Sequence, residues 1–338
     1  MKLWAKLLIG VVVLIVLLAG SAAAYVSVSW DKSYDDVAGP DLATSTDSAV
    51  VARGEYLVRG PAHCAACHVG DQIEAARVDS GHPVPMRGGL RIITGPLGTL
   101  YSRNLTPDSA TGIGRYTDRQ LFRMLRHNIK PNGMTSVAPL MPFANMADED
   151  LVAVVSYLRS QPAVRNEIPE PSYTSMGKAI RTMAPAFQPV MGHTPPAKAP
   201  PEAATRERGE YVARYVANCV GCHTKLDEKG SPIGPEFAGG AIFETEPGSP
   251  GAAEGLTFRT VNLTPDSATG ALVRFGSKEN WIKRFRQGRV YKGSLMPWGS
   301  FTRISDTDLE ALWVFFNSLP PVRNDVSPSA FRDTAAAK

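Results

Sequence analysis

The sequence predicts an all-α protein: a helical domain present twice, behind an apolar N-terminal helix. Three observations predict it. The nine residues NLTPDSATG occur at 104–112 and again at 262–270, so the chain carries an internal repeat. Within each copy apolar residues recur at helical spacing, and no alternating strand pattern of comparable length is present. Ahead of both copies, Leu7 to Val28 holds no charged residue.

That run comes first. About 20 apolar residues span a bilayer as a helix, and Trp4 and Trp30 fall where interfacial aromatics belong. Lys2 and Lys6 keep the N-terminus cytoplasmic and send the rest across. Residues 1–30 read as a membrane anchor. The alternative is a cleaved signal peptide, with Ala22-Ala23-Ala24 as the peptidase site; the run past that site to Val28 favours the anchor. Residues 31–46 read as a polar stalk.

Residues 47–165 form the first copy. Asp47 caps a helix through Arg59, and Thr117 with Gln120 makes a capping box opening 118–128. Leu151, Val152, Val154, Val155 and Leu158 line a last helix that Pro162 stops. Residues 166–204 hold eight prolines and read as an extended, stiff linker. Residues 205–324 form the second copy. Thr205 caps its first helix, ending near Ala217, and Ser305 with Asp308 opens the last, lined by Leu309, Leu312, Trp313, Phe316 and Leu319. Residues 325–338 read as a frayed tail. Arg53-Gly54-Glu55-Tyr56 recurs at 208–211, Gly88-Gly89 at 239–240, Leu140-Met141-Pro142 at 295–297 and Val164-Arg165-Asn166 at 322–324.

Of 338 residues 43% are hydrophobic and 20% charged, as in ordinary globular proteins. The net charge of +4 comes from interspersed residues, with no basic stripe for nucleic acid. Three helices and long Gly/Pro loops make a thin core for a copy of about 120 residues, a size that normally carries its own. Something besides side chains must fill it.

The four cysteines supply the answer. They lie in CAACH (Cys64, Cys67, His68) and CVGCH (Cys219, Cys222, His223), the attachment sequence of c-type haem. One turn presents both thiols to a porphyrin edge, and the adjacent histidine is held beneath the iron. A zinc site would want four ligands, and each copy offers three. A redox dithiol needs no histidine. Met141 and Met296 each lie 73 residues past their motif histidine, inside Leu-Met-Pro, and are the candidates for the sixth iron ligand. Met86, Met124, Met134 and Met146 have no counterpart in the second copy and read as core methionines. His127 falls opposite Gln287 and reads as a surface or propionate-side histidine.

With these motifs in order, the chain resembles tandem class I cytochrome c domains, and most of all the cytochrome c subunits of bacterial periplasmic alcohol, aldehyde and gluconate dehydrogenases. The resemblance covers 47–324; the second copy departs with TGAL for TGIG, and the chain has two CxxCH motifs where those subunits usually carry three. It implies two covalent haem c groups with His68/Met141 and His223/Met296 on the irons. It also implies that Gly54 with Tyr56 and Gly209 with Tyr211 let the first helix pack on the last, and that Gly234-Pro235 offers the carbonyl that accepts from the proximal histidine. NLTPDSATG is turn chemistry. Either Asn104 and Asn262, with Thr106 and Thr264, hydrogen-bond the haem propionate edge, or the loop is a rigid turn that positions the next helix. N-glycosylation at NLT is disfavoured by the proline.

The implied function is electron transfer at the periplasmic face of the bacterial inner membrane, without catalysis of its own. The donor would be a dehydrogenase or a respiratory protein, and the acceptor a terminal oxidase, another cytochrome or the quinone pool. A di-haem peroxidase is the alternative from another class. It needs an iron with an open sixth site, and two equivalent methionines argue against that. A fixed subunit of a respiratory complex is the third reading.

Overall fold

The computed structural model describes residues 3–227, 231–244, 256–291 and 293–332. Helix α1 (Leu3–Ser29) carries the charge-free run as one helix of 27 residues, none of them buried. At 1.5 Å per residue it is about 40 Å long, enough to cross a bilayer. The stalk does not stand free. Arg119 Nε donates to the Gly39 carbonyl (3.1 Å) and the Ser45 N–H to Ser156 Oγ (2.9 Å), which docks 31–46 on the first copy.

In that copy α2 (Ser48–Arg59) starts at Asp47, whose carboxylate accepts from the N–H groups of Ala49 and Val50. Helix α3 (Gln72–Asp79) follows, capped by Asp71, then strands β1 (Arg91–Ile93) and β2 (Gly98–Tyr101). Helix α4 (Asp118–His127) opens with the full Thr117/Gln120 capping box, and α5 (Asp148–Ser160) ends two residues before Pro162. The stretch expected as an extended linker is folded onto this copy. Strand β3 (Ser172–Tyr173) pairs with β2, and Thr174 caps α6 (Ser175–Met183). Its prolines lie on either side of 172–184, which leaves that window free to pair and coil.

The second copy repeats the scheme. Helix α7 (Arg206–Tyr211) begins at Thr205 and runs on as a π-helical turn (Val212–Val216). After α8 (Cys219–Cys222) come β4 (Ile242–Glu244), β5 (Leu256–Arg259), α9 (Ala271–Phe275), α10 (Lys278–Arg286), α11 (Trp298–Phe301), α12 (Asp306–Asn317) and β6 (Ala330–Arg332). The expected tail is partly ordered, since β6 pairs with β5; residues 333–338 lie outside the described residues. The all-α expectation is corrected by two antiparallel sheets, β1-β2-β3 and β4-β5-β6. Their strands are two to four residues long, too short for an alternating pattern to register.

Two helix pairs organise the molecule: α2 on α5 and α7 on α12. Each crosses at a glycine. A Cβ on Gly54 would sit 1.9 Å from the Ala153 carbonyl oxygen, and one on Gly209 2.0 Å from that of Ala311. The tyrosines of the same Arg-Gly-Glu-Tyr repeats do something else, for they cross between copies. Tyr56 donates to Asp308 (2.6 Å) and Tyr211 to Asp150 (2.7 Å). Each aspartate is also gripped by the arginine of its own copy, Arg53 on Asp150 (2.8 and 3.0 Å) and Arg208 on Asp308 (2.6 and 3.0 Å). Burial, then the neighbouring carboxylate, pushes both phenols far above their ordinary pKa. Buried apolar residues of the two copies run together in one cluster. A second contact joins α3 to α11, where the Gly299 N–H donates to Asp79 Oδ1 (3.2 Å) and Arg289 pairs with the same carboxylate.

Candidate functional site

Both CxxCH motifs begin from a left-handed residue, His63 (φ 43°) and Asn218 (φ 52°), which swings the chain off α2 or the π turn into a short helical turn. The turn closes when the His68 N–H reaches the Cys64 carbonyl (2.9 Å) and the His223 N–H that of Cys219 (2.8 Å). In both copies the first cysteine is half-buried and the second exposed, and none of the four is in a disulfide. Burial, then the second thiol of the pair, pushes Cys64 and Cys219 up to about 12. A redox dithiol depends on the opposite shift. Among the described residues no three His, Cys, Asp or Glu side chains gather to hold a bare metal ion.

The histidines are oriented identically. His68 Nδ1 lies 2.8 Å from the Arg103 carbonyl and His223 Nδ1 2.8 Å from the Val261 carbonyl. A carbonyl only accepts, so Nδ1 carries the proton. Burial depresses both imidazoles below the ordinary histidine pKa and keeps them neutral, which leaves the Nε2 lone pair for a metal. The expected acceptor, the carbonyl of Pro235, does not fill this role; the acceptors are residues 103 and 261, one step ahead of each NLTPDSATG.

This placement explains the repeat. Asn104 Nδ2 donates to Thr111 Oγ1 (3.1 Å) and the Val164 carbonyl (2.8 Å), while its Oδ1 accepts from the Thr106 N–H (2.9 Å) and hydroxyl (2.7 Å). Asn262 repeats all four bonds with Thr269, Val322 and Thr264. An amide has two donors and two acceptor lone pairs, and all are used. The amides of Asn104 and Asn262 are thus committed to the loop, the arrangement of a rigid turn. They are full, and they lock the loop whose preceding carbonyl holds the histidine. Asp108 and Asp266 complete the turn by accepting from Thr111 and Thr269, whose hydrogen bonds draw both carboxyls below their ordinary pKa. Gly88 and Gly239 are required beside it. Both have positive φ, and a Cβ would meet the carbonyl carbon of residue 103 at 2.4 Å or of 261 at 2.5 Å. Asn166 and Asn324 of the Val-Arg-Asn repeats tie down the Gly88 and Ala238 carbonyls (2.8 and 2.9 Å). Neither the carbonyl acceptors nor this clamp was found from sequence, because a backbone carbonyl leaves no residue-type signal; the Val-Arg-Asn identity was the available clue.

Met141 follows a 3₁₀ turn (Ala138–Leu140), and Met296 directly precedes Pro297 and α11; both are half-buried. Leu140 and Leu295 beside them are 49% and 45% exposed, so each methionine stands at the edge of an uncovered apolar surface. Met86 and Met146 are buried, as core methionines should be, and Met124 and Met134 are half-buried. His127 contacts the folded linker. Its Nδ1 is 3.1 Å from the Val190 carbonyl, and its ring lies 5.1 Å from that of His193.

No protein-family model matches the chain. Among curated proteins it is 31% identical over 305 residues to the cytochrome c subunit of the quinone alcohol dehydrogenase of Gluconacetobacter polyoxogenes, covering 85% of this chain and 60% of that protein. The corresponding subunit of Gluconobacter oxydans (strain 621H) is 35% identical over 309 residues (84% and 58%). The gluconate 2-dehydrogenase cytochrome c subunit of Pantoea cypripedii is 36% identical over 188 residues (53% and 38%).

The chain is a homologue of dehydrogenase cytochrome c subunits. It spans about 60% of the length of the alcohol dehydrogenase subunits it matches. For such a homologue the donor set fits haem c. Two thiols on one turn, a neutral imidazole with Nε2 unencumbered and a thioether beside bare apolar surface are the groups that haem c attachment and His/Met ligation call for.

Proposed function

We propose that this chain is a membrane-anchored di-haem electron carrier built from two tandem class I cytochrome c domains. Cys64 and Cys67 would bind one haem c and Cys219 and Cys222 the other, with His68 and Met141 on one iron and His223 and Met296 on the second. The bound haems supply one-electron chemistry. The chain's own residues hold each proximal ring in one tautomer and one orientation through the carbonyls of Arg103 and Val261. The observation that carries the reading is this duplication: both copies pin Nδ1 at 2.8 Å and leave Nε2 free. With α1 in the inner membrane, the haem domains would lie on the periplasmic side. They would pass electrons from a dehydrogenase or respiratory donor to an oxidase, another cytochrome or quinone. Two equivalent methionines favour a carrier over a peroxidase, which needs one open iron. Intact mass tests the reading: the mature chain should exceed its polypeptide mass by two haems, and pyridine haemochrome should count two per chain. Zinc in place of haem would refute it.

A further inference from the structure

Where α1 ends lies a half-open cavity of about 290 Å³. Tyr25, Ser29 and Trp30 line it from the helix end, Lys32 from the stalk, and Arg181 and Phe187 from the folded linker; no lining residue is acidic. Arg181 is 4% exposed. Its Nε donates to the Trp30 carbonyl (2.8 Å) and its Nη2 to the carbonyl and hydroxyl of Thr135 (2.9 and 3.2 Å). Nη1 is buried and has no hydrogen-bond partner among the described residues. The guanidinium is flanked by the rings of Tyr173 (5.4 Å) and Phe187 (5.6 Å).

More positive charge surrounds it. The Lys178 ammonium lies 4.5 Å from the Trp30 ring and that of Lys32 4.8 Å from the Tyr34 ring. Lys130 is pushed down to about 8 by burial, then by Arg181 and Arg103. The nearest acids in sequence are otherwise placed: Asp31 is exposed and Asp35 pairs with Arg123. A buried cation with an unmet donor calls for an anionic acceptor. Amphipathic aromatics beside lysines at the end of an apolar helix mark the headgroup level of a bilayer. Only an anion present at that level supplies both the charge and the location.

We propose that this cavity binds the phosphate of an anionic phospholipid headgroup in the outer leaflet. The bound lipid would fasten the first copy to its anchor, because Arg181 and Trp30 come from the two sides of the joint. The proposal rests on the anchor reading of α1.

The test uses the full-length holoprotein in neutral detergent, titrated separately with short-chain phosphatidylglycerol, short-chain phosphatidylcholine and inorganic phosphate. Phosphatidylglycerol should raise the unfolding midpoint by about 2–5 °C, and phosphatidylcholine and phosphate should not. Lys32→Ala and Arg181→Gln should each remove most of that shift, and Lys198→Ala, an exposed lysine elsewhere, should keep it. Lys32→Ala leaves the Arg181 hydrogen bonds in place, so the test survives if Arg181→Gln folds poorly. Equal shifts from both lipids, an equal shift from phosphate, or a full shift in Lys32→Ala would each overturn the lipid site. Intact mass of the same preparation separates the two readings. A chain shortened to Tyr25 overturns the anchor and the bilayer source together, whereas a full-length chain indifferent to phosphatidylglycerol overturns the lipid site alone.

Discussion

The two copies share one skeleton of polar bonds and almost none of the apolar packing around it. Around each CxxCH histidine the same bonds recur with nearly the same lengths, from the carbonyl on Nδ1 to the four bonds of the asparagine. On the helices the side chains diverge. Leu121 and Leu125 of α4 stand where α10 has Trp281 and Phe285, and Val155, Tyr157 and Leu158 of α5 stand where α12 has Trp313, Phe315 and Phe316. The second copy is an aromatic cluster in which Trp281 contacts Phe275, Phe285, Trp313 and Phe316. Hydrogen bonds need atoms at fixed places, whereas an apolar core needs only matched volume and shape. The polar frame is therefore identical where a histidine must be aimed, and the packing is free to differ elsewhere.

The sharpest asymmetry lies in the crossed aspartates. Asp308 holds the Arg208 side chain, 1% exposed, while Asp150 holds that of Arg53, 20% exposed and also paired with Glu202 at 2.5 Å. Asp308→Ala leaves the buried Arg208 guanidinium only its long pair to Glu202 (3.8 Å) and should cost about 3 kcal/mol. Asp150→Ala should cost clearly less, because Arg53 keeps a carboxylate and reaches water. Denaturant unfolding of both holo variants measures the difference, and equal losses would break the asymmetry.

The shared frame predicts the reverse. Asn104→Ala and Asn262→Ala each strand the same partners and should each cost about 1–3 kcal/mol, equal within error. Each should also shift the reduction potential of its own haem and leave the other unchanged. A variant that destabilised its copy without moving the potential would show that the loop is structural only.

A pH-dependent effect concerns Lys130, whose position in the second copy is taken by Val290. Its folded-state value of about 8 lies below the ordinary lysine value, so between about 8 and 10.4 the unfolded chain holds the proton more often. Its contribution to stability therefore rises with pH across that window. Below pH 8 the buried charge is a constant cost. Lys130→Met should flatten this rise in thermal unfolding followed from pH 8 to 10.

Much of this was legible in the sequence. Capping residues announced α2, α4, α7 and α12, because a side-chain cap is a local bond that residue identity specifies. The two CxxCH turns followed from identical residues in both copies, and the glycine crossings from the family resemblance. Three things were hidden. The short sheets are too brief for periodicity, and the folding of the linker depends on β2 as a partner. The reach of Tyr56 to Asp308 depends on how the copies meet, which no local pattern encodes.

The central claim is that two equivalent His/Met sites make a carrier, and a redox titration of the holoprotein followed at long wavelength tests it most directly. Two one-electron waves are expected, with the weak sulfur-to-iron band of Met/His ligation belonging to both haems in the oxidised protein. Met141→Ala and Met296→Ala should each remove about half of that band, as one of two equivalent ligations is lost. A wild-type protein with one high-spin or bis-histidine haem, turning over peroxide without any substitution, would contradict it.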